Sequence, residues 1–121
     1  MLVNEESRII KLFTPAFTAE SEKDPGYVKS YPEGIRENGG QYTHGAIWLA
    51  LAFLRNGDKQ TAKKLAEYLS PASRPEIYKN EPYYMSADIY TNPAVYGRGG
   101  WSLYTGSAAW YYILLSELYG E

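Results

Sequence analysis

Residues 43–55 read THGAIWLALAFLR, and this stretch decides the fold. Ile47, Trp48, Leu51, Phe53 and Leu54 wrap around most of a helical circumference, and Ala and Gly fill the rest. A helix apolar nearly all round is buried on most sides. Thr43 is a candidate cap, and Asn56-Gly57 ends the run. Asp58 then caps KQTAKKLAEYL, residues 59–69. There Ala62, Leu65, Ala66 and Leu69 form one stripe, opposite a wet face of Lys59, Lys63, Lys64 and Glu67. The pair predicts an antiparallel hairpin with a buried inner helix and an exposed outer one.

Working outward, residues 105–119 (TGSAAWYYILLSELY) predict a second mostly apolar helix. Thr105 or Ser107 is its candidate cap, and Gly120 its stop. Residues 3–13 (VNEESRIIKLF) predict a short helix capped by Asn4, stopped at Thr14-Pro15. The stretches between are long. Residues 14–42 hold three Pro and four Gly without periodicity, and residues 70–101 hold four Pro and five Tyr. Large residues such as Tyr27, Val28, Tyr31 and Ile35 argue against disorder in the first, so it reads as an ordered loop. Residues 83–91 allow a short strand or a helical turn. A small bundle usually has connections of about 2–8 residues. Loops this long favour the inner and outer helices of an α/α barrel, with the loops at one mouth. The expected fold is therefore all-α: one fragment, residues 1–121, of an (α/α)6 barrel that needs more helices than 121 residues hold.

Composition narrows the function. Twelve Lys and Arg against 14 Asp and Glu give a net charge of −2, without a cationic field for nucleic acid or anionic lipid. There are no cysteines and one histidine, which excludes disulfides, thiolate chemistry and a multi-histidine metal site. No apolar run approaches the roughly 18 residues of a membrane span. The acidic, amphipathic start MLVNEESRII does not read as a signal peptide, so a cytoplasmic location is expected. Thirteen of the 121 residues are Tyr. Tyr suits surfaces that are half apolar and half wet, such as a sugar cleft; a core with hydroxyls reaching solvent is the alternative.

Two junctions carry chemistry. Residues 36–44 (RENGGQYTH) pack a cation, a carboxylate, two amides, a phenol and the lone His44 before the first apolar helix. Residues 97–107 (GRGGWSLYTGS) end in Thr105-Gly106-Ser107, which opens the last helix. Free N–H groups and hydroxyls at a helix start suit an anion, though a simple cap explains the same residues. His44 reads equally as a hydrogen-bonded helix-start histidine. Arg36 and Arg98 either serve an anion or pair with an acid.

YPEGIRENGGQYTHGAIW (31–48), YKNEPYYMSADIY (78–90) and GRGGWSLYTGSAAW (97–110) occur in that order. Together they resemble glycoside hydrolase family 94, the inverting glycoside phosphorylases, over residues 24–120. ENGGQYTH and GRGGW–YTGSA look most like its β-1,2-glucan branch, including the phosphorylase-like C-terminal part of cyclic β-1,2-glucan synthetases. The resemblance implies phosphorolysis of a β-glucan to α-glucose-1-phosphate, with inorganic phosphate as co-substrate and no other cofactor. It implies that His44, Thr105 and Gly106 bind phosphate and that Glu37 and Gln41 bind substrate, with Arg36, Arg98 and Ser107 as further candidates. The family's general acid Asp lies upstream of the matching region. Asp24, Asp58 and Asp88 are the only aspartates, and none matches it. The expectation is a part of an enzyme, inactive alone, completed by the remainder of the barrel or by further copies. Alternatives are a non-catalytic carbohydrate- or anion-binding module and a self-associating structural remnant.

Overall fold

A computed structural model describes residues 1–120. Its frame is three helices: α1 (Thr43–Arg55), α2 (Lys59–Leu69) and α4 (Thr105–Tyr119), with a single turn α3 (Pro75–Tyr78) between the last two. Helices α1 and α2 form the expected hairpin, and α4 packs against both. Ala46, Ile47, Ala50 and Leu51 of α1 meet the stripe of α2 and Leu114 and Leu118 of α4 in one core. The Asp58 carboxylate accepts the Thr61 N–H at 2.9 Å, as a cap should. Gly120 ends α4 in the left-handed region, at φ +76°. Arg55 clamps Glu117 across α1 and α4, with Nε–Oε2 3.0 Å and Nη2–Oε1 2.5 Å.

All-α is too narrow a description. Val3–Asn4 (β1) and Ile9–Ile10 (β2) pair as an antiparallel hairpin where a helix was expected. The Ser7 N–H donates to Asn4 Oδ1 at 2.9 Å, so Asn4 caps a turn of this hairpin. Val3, Ile9 and Ile10 are β-branched and suit a pleated pair. Lys64 and the Tyr68 hydroxyl hold Glu5 at 2.7 and 2.5 Å and fasten the hairpin to α2.

A second sheet orders β3 (Gln41–Tyr42), β4 (Asp88–Ile89) and β5 (Gly99–Gly100), all antiparallel. The middle strand settles the choice left open for residues 83–91 in favour of a short strand. Side chains alternate across a strand. Tyr42, Asp88 and Gly100 therefore share one face, and Gln41, Ile89 and Gly99 the other, with Ile89 buried beside Ile9 and Tyr78. This sheet gathers both long loops, which are ordered as expected.

The apolar helices are less covered than their sequences imply. Trp48 on α1 is 52% exposed and Tyr112 on α4 is 73% exposed. Of the tyrosines only Tyr78 is buried; Tyr27, Tyr83 and Tyr96 are exposed in the loops. No described helix is long and apolar enough to cross a membrane.

Candidate functional site

The segment leading into β4 fixes the site. The Ala87 carbonyl accepts the Thr43 N–H at 2.9 Å, and the Met85 carbonyl accepts the Tyr104 N–H at 3.0 Å. The starts of α1 and α4 are therefore tied to one short segment and lie side by side. Neither start has a side-chain cap: Tyr42 and Tyr104 occupy the cap positions, not Thr43, Thr105 or Ser107. Instead the two phenols bond each other, O···O 3.2 Å. That bond, with burial, pushes the Tyr42 hydroxyl up to about 12, and Glu37 adds to the shift.

His44 lies at this junction of the two helix starts. Its ring stacks 6.4 Å from Tyr42, meets Trp48 edge-on at 4.7 Å and lies 6.0 Å from Trp110. A Cβ on Gly106 would stand 3.7 Å from His44 Cε1 and Nδ1, so the imidazole edge faces the first turn of α4 directly. Thr105 is exposed at that turn, and Ser107 is fully buried. Among the described residues, His44 Nε2 and Ser107 Oγ are buried without a hydrogen-bond partner. A first helical turn carries free N–H groups and a positive dipole end, which together favour an oxyanion.

The second half of the site stands over the sheet. Asp88 is 1% exposed. Its Oδ2 accepts the Arg36 N–H at 3.1 Å, while its Oδ1 has no partner among the described residues. Burial raises its carboxyl above the ordinary range, against the pull of the Arg36 charge and N–H. Only glycine fits at position 100, since a Cβ there would lie 2.5 Å from Asp88 Oδ1 and against the Tyr90 hydroxyl. Arg36 pairs with Glu37 (Nε–Oε2 3.7 Å), and its guanidinium lies on the Trp101 ring, 4.1 Å from the centroid. Trp101 is 68% exposed. Arg36, Trp101 and Leu103 have φ of +49°, +45° and +63°. Left-handed backbone at non-glycine residues costs energy and clusters where a loop is held for function.

The structure thus gathers Arg36, Glu37, His44, Thr105, Gly106 and Ser107 around Tyr42 and Tyr104. It does not gather Gln41. That side chain is buried on the opposite sheet face, where Oε1 accepts the Ile10 N–H at 2.9 Å. The alternation of β3 puts Gln41 inward once Tyr42 faces the site. The Arg98 side chain is exposed and makes no ion pair among the described residues, while its carbonyl accepts the Tyr90 N–H at 2.9 Å.

Several contributors escaped sequence reasoning. Asn38 is buried and staples the first loop: Nδ2 donates to the Phe17 and Tyr31 carbonyls at 3.0 and 2.8 Å, and Oδ1 accepts the Phe17 N–H at 2.8 Å. Trp101 and the Tyr42–Tyr104 pair gave no local signal. Asp88 did: an acid amid apolar and small residues in YMSADIY is a candidate buried carboxylate.

Residues 1–119 match the family described as Glycosyl hydrolase 94 superfamily, catalytic domain. Over 117 residues the chain is 49% identical to the cyclic beta-(1,2)-glucan synthase NdvB of Rhizobium meliloti (strain 1021), covering 92% of this chain and 4% of that protein. Over 112 residues it is 26% identical to N,N'-diacetylchitobiose phosphorylase of Vibrio proteolyticus, covering 89% of this chain and 14% of that one. The chain therefore spans a small part of either relative. With nearly its whole length inside the family's catalytic domain, it belongs to the glycosyl hydrolase 94 superfamily.

Proposed function

We propose that this chain builds the phosphate and acceptor-sugar portion of an inverting glycoside phosphorylase site acting on a β-glucan. The observation that carries the reading is the His44 imidazole edge facing Gly106 at the open first turn of α4. Thr105 and Gly106 offer a hydroxyl and N–H groups there, His44 adds a ring N–H, and phosphate oxygens accept from all three. Glu37, beside Arg36, accepts hydroxyls of the acceptor sugar. Gln41 acts behind the sheet as a support for the hairpin.

In the reaction a phosphate oxygen forms a bond to the anomeric carbon as the glycosidic C–O bond breaks. The departing oxygen takes a proton from a general acid. No aspartate of this chain is placed to donate it. Asp58 caps α2, Asp24 closes a turn on the Gly26 N–H at 2.9 Å, and Asp88 is buried on the Arg36 backbone. The acid then comes from outside this chain, from the remainder of an α/α barrel that would also cover Trp48 and Tyr112.

Incubation of the chain with β-1,2-glucooligosaccharide and phosphate, assayed for α-glucose-1-phosphate, tests this division of labour. A positioned acid is worth about 10²–10⁴ in rate. The chain alone is therefore expected to release product at least about a hundredfold more slowly than when completed by the missing barrel part. Full turnover by the chain alone contradicts the reading.

A further inference from the structure

Of the three tryptophans, Trp48 and Trp110 pair with each other edge to face, ring centroids 5.6 Å apart. Trp101 has a different setting. It follows β5 on left-handed backbone at φ +45° and is 68% exposed, with Ser102 and Leu103 exposed after it. So open a ring adds little to the core, yet it is held in place. The Trp101 carbonyl accepts the Ala87 N–H at 2.9 Å, which ties its backbone to the residue before β4. The guanidinium of Arg36 covers one indole face, 4.1 Å from the centroid, and lies 5.7 Å from the Tyr31 centroid as well. Arg36 is itself fixed: Asp88 accepts its N–H at 3.1 Å, and Glu37 pairs with its Nε at 3.7 Å. One indole face is thus backed by an anchored cation, and most of the ring is open to solvent.

We propose that Trp101 is a stacking platform for a glucosyl ring of the acceptor glucan. This inference rests on the acceptor-sugar reading of Glu37 and names the group that binds the apolar side of that sugar. A β-glucopyranose carries its hydroxyls equatorially, so its ring faces present C–H groups. An indole offers them a flat apolar surface with a large contact area. A ring fixed before binding loses little freedom on binding, so more of the contact energy appears as affinity. Left-handed backbone at a non-glycine residue persists only where surrounding contacts over-determine it, and it clusters at ligand sites. Glu37 is joined to the same guanidinium that backs the indole. A carboxylate for sugar hydroxyls and a surface for sugar C–H groups are therefore both held by one side chain.

The test is a titration of the ¹⁵N-labelled chain with sophorose, the β-1,2-linked glucose disaccharide, and with sorbitol, which has hydroxyls but no ring face. Saturating shifts at the Trp101 indole N–H are expected with sophorose and not with sorbitol, while the Trp48 and Trp110 indoles stay in place. Trp101→Leu is expected to weaken sophorose binding, followed at the Arg36 and Glu37 amides, about tenfold. Trp101→Phe restores a ring face and is expected to stay within about threefold of the parent. Residue 101 is exposed, so both variants keep the core, and unmoved Leu114 and Leu118 amides check this. A Trp101 indole that stays still while the Glu37 amide saturates, equal losses in the Leu and Phe variants, or equal responses to sophorose and sorbitol overturn the platform and leave the acceptor reading of Glu37 standing. Saturation at Trp101 with Glu37 unmoved supports the platform and removes Glu37 from the sugar. No saturation at either residue overturns both.

Discussion

The guanidinium of Arg36 rests 4.1 Å from the ring centroid of Trp101, and both residues have left-handed backbone. Two loops distant in sequence thus meet through these two side chains. The pairing keeps Arg36 next to Glu37 and leaves most of the indole open to solvent. A double-mutant cycle with Arg36→Gln and Trp101→Leu, read by denaturant unfolding, is expected to give a coupling of about 0.5–2 kcal/mol. Additive single mutants would show that the contact carries no energy.

Asn38, itself fully buried, closes three part-buried hydrogen bonds of the same loop. Asn38→Ala orphans a Phe17 N–H and two carbonyls, and each unsatisfied buried group costs about 1–3 kcal/mol. A loss of about 3 kcal/mol or more is expected. Asn92 bonds the Glu33 carbonyl and the Ala94 N–H at the surface, and Asn92→Ala is expected to cost about 1 kcal/mol, as for an exposed cap. Equal losses in thermal or urea unfolding would contradict this ranking.

Helices α1, α2 and α4 were legible almost to the residue; the single turn α3 and the sheet were not. Helices α1, α2 and α4 bury a recurrent face over three or more turns, so their periodicity survives in the sequence. The N-terminal hairpin deceived because Asn4 caps a tight turn by the same side-chain bond that starts a helix. Strands β3, β4 and β5 are two residues each, and one is Gly99-Gly100, too short to alternate visibly. Thr105, Gly106 and His44 stood out by chemistry. Their adjacency was invisible, because it depends on two helix starts bonding one segment, Met85–Ala87. Gln41 was expected to bind substrate; it lies behind the sheet because the face of β3 is set by its pairing with β4.

Asp88 makes stability depend on pH. Burial raises its carboxyl above the ordinary 3.8, so the fold favours the protonated form. Its contribution is therefore fully present below that value and is lost as pH rises through the folded pKa. Asp88→Asn keeps the group neutral throughout. The variant is expected to gain on the parent as pH rises from about 4, by up to about 1.4 kcal/mol per unit, and then to level off. Parallel stability curves for the two proteins would show that the carboxylate is not destabilised by the fold.

Phosphate is proposed to bind where His44 faces the first turn of α4. Titration of the ¹⁵N-labelled chain with inorganic phosphate tests it most directly. Saturating shifts are expected at the Thr105, Gly106 and Ser107 amides and at the His44 ring, weakened about tenfold or more by Thr105→Ala and by His44→Ala. Phosphate that leaves these four residues unmoved, while the fold is intact, would contradict it.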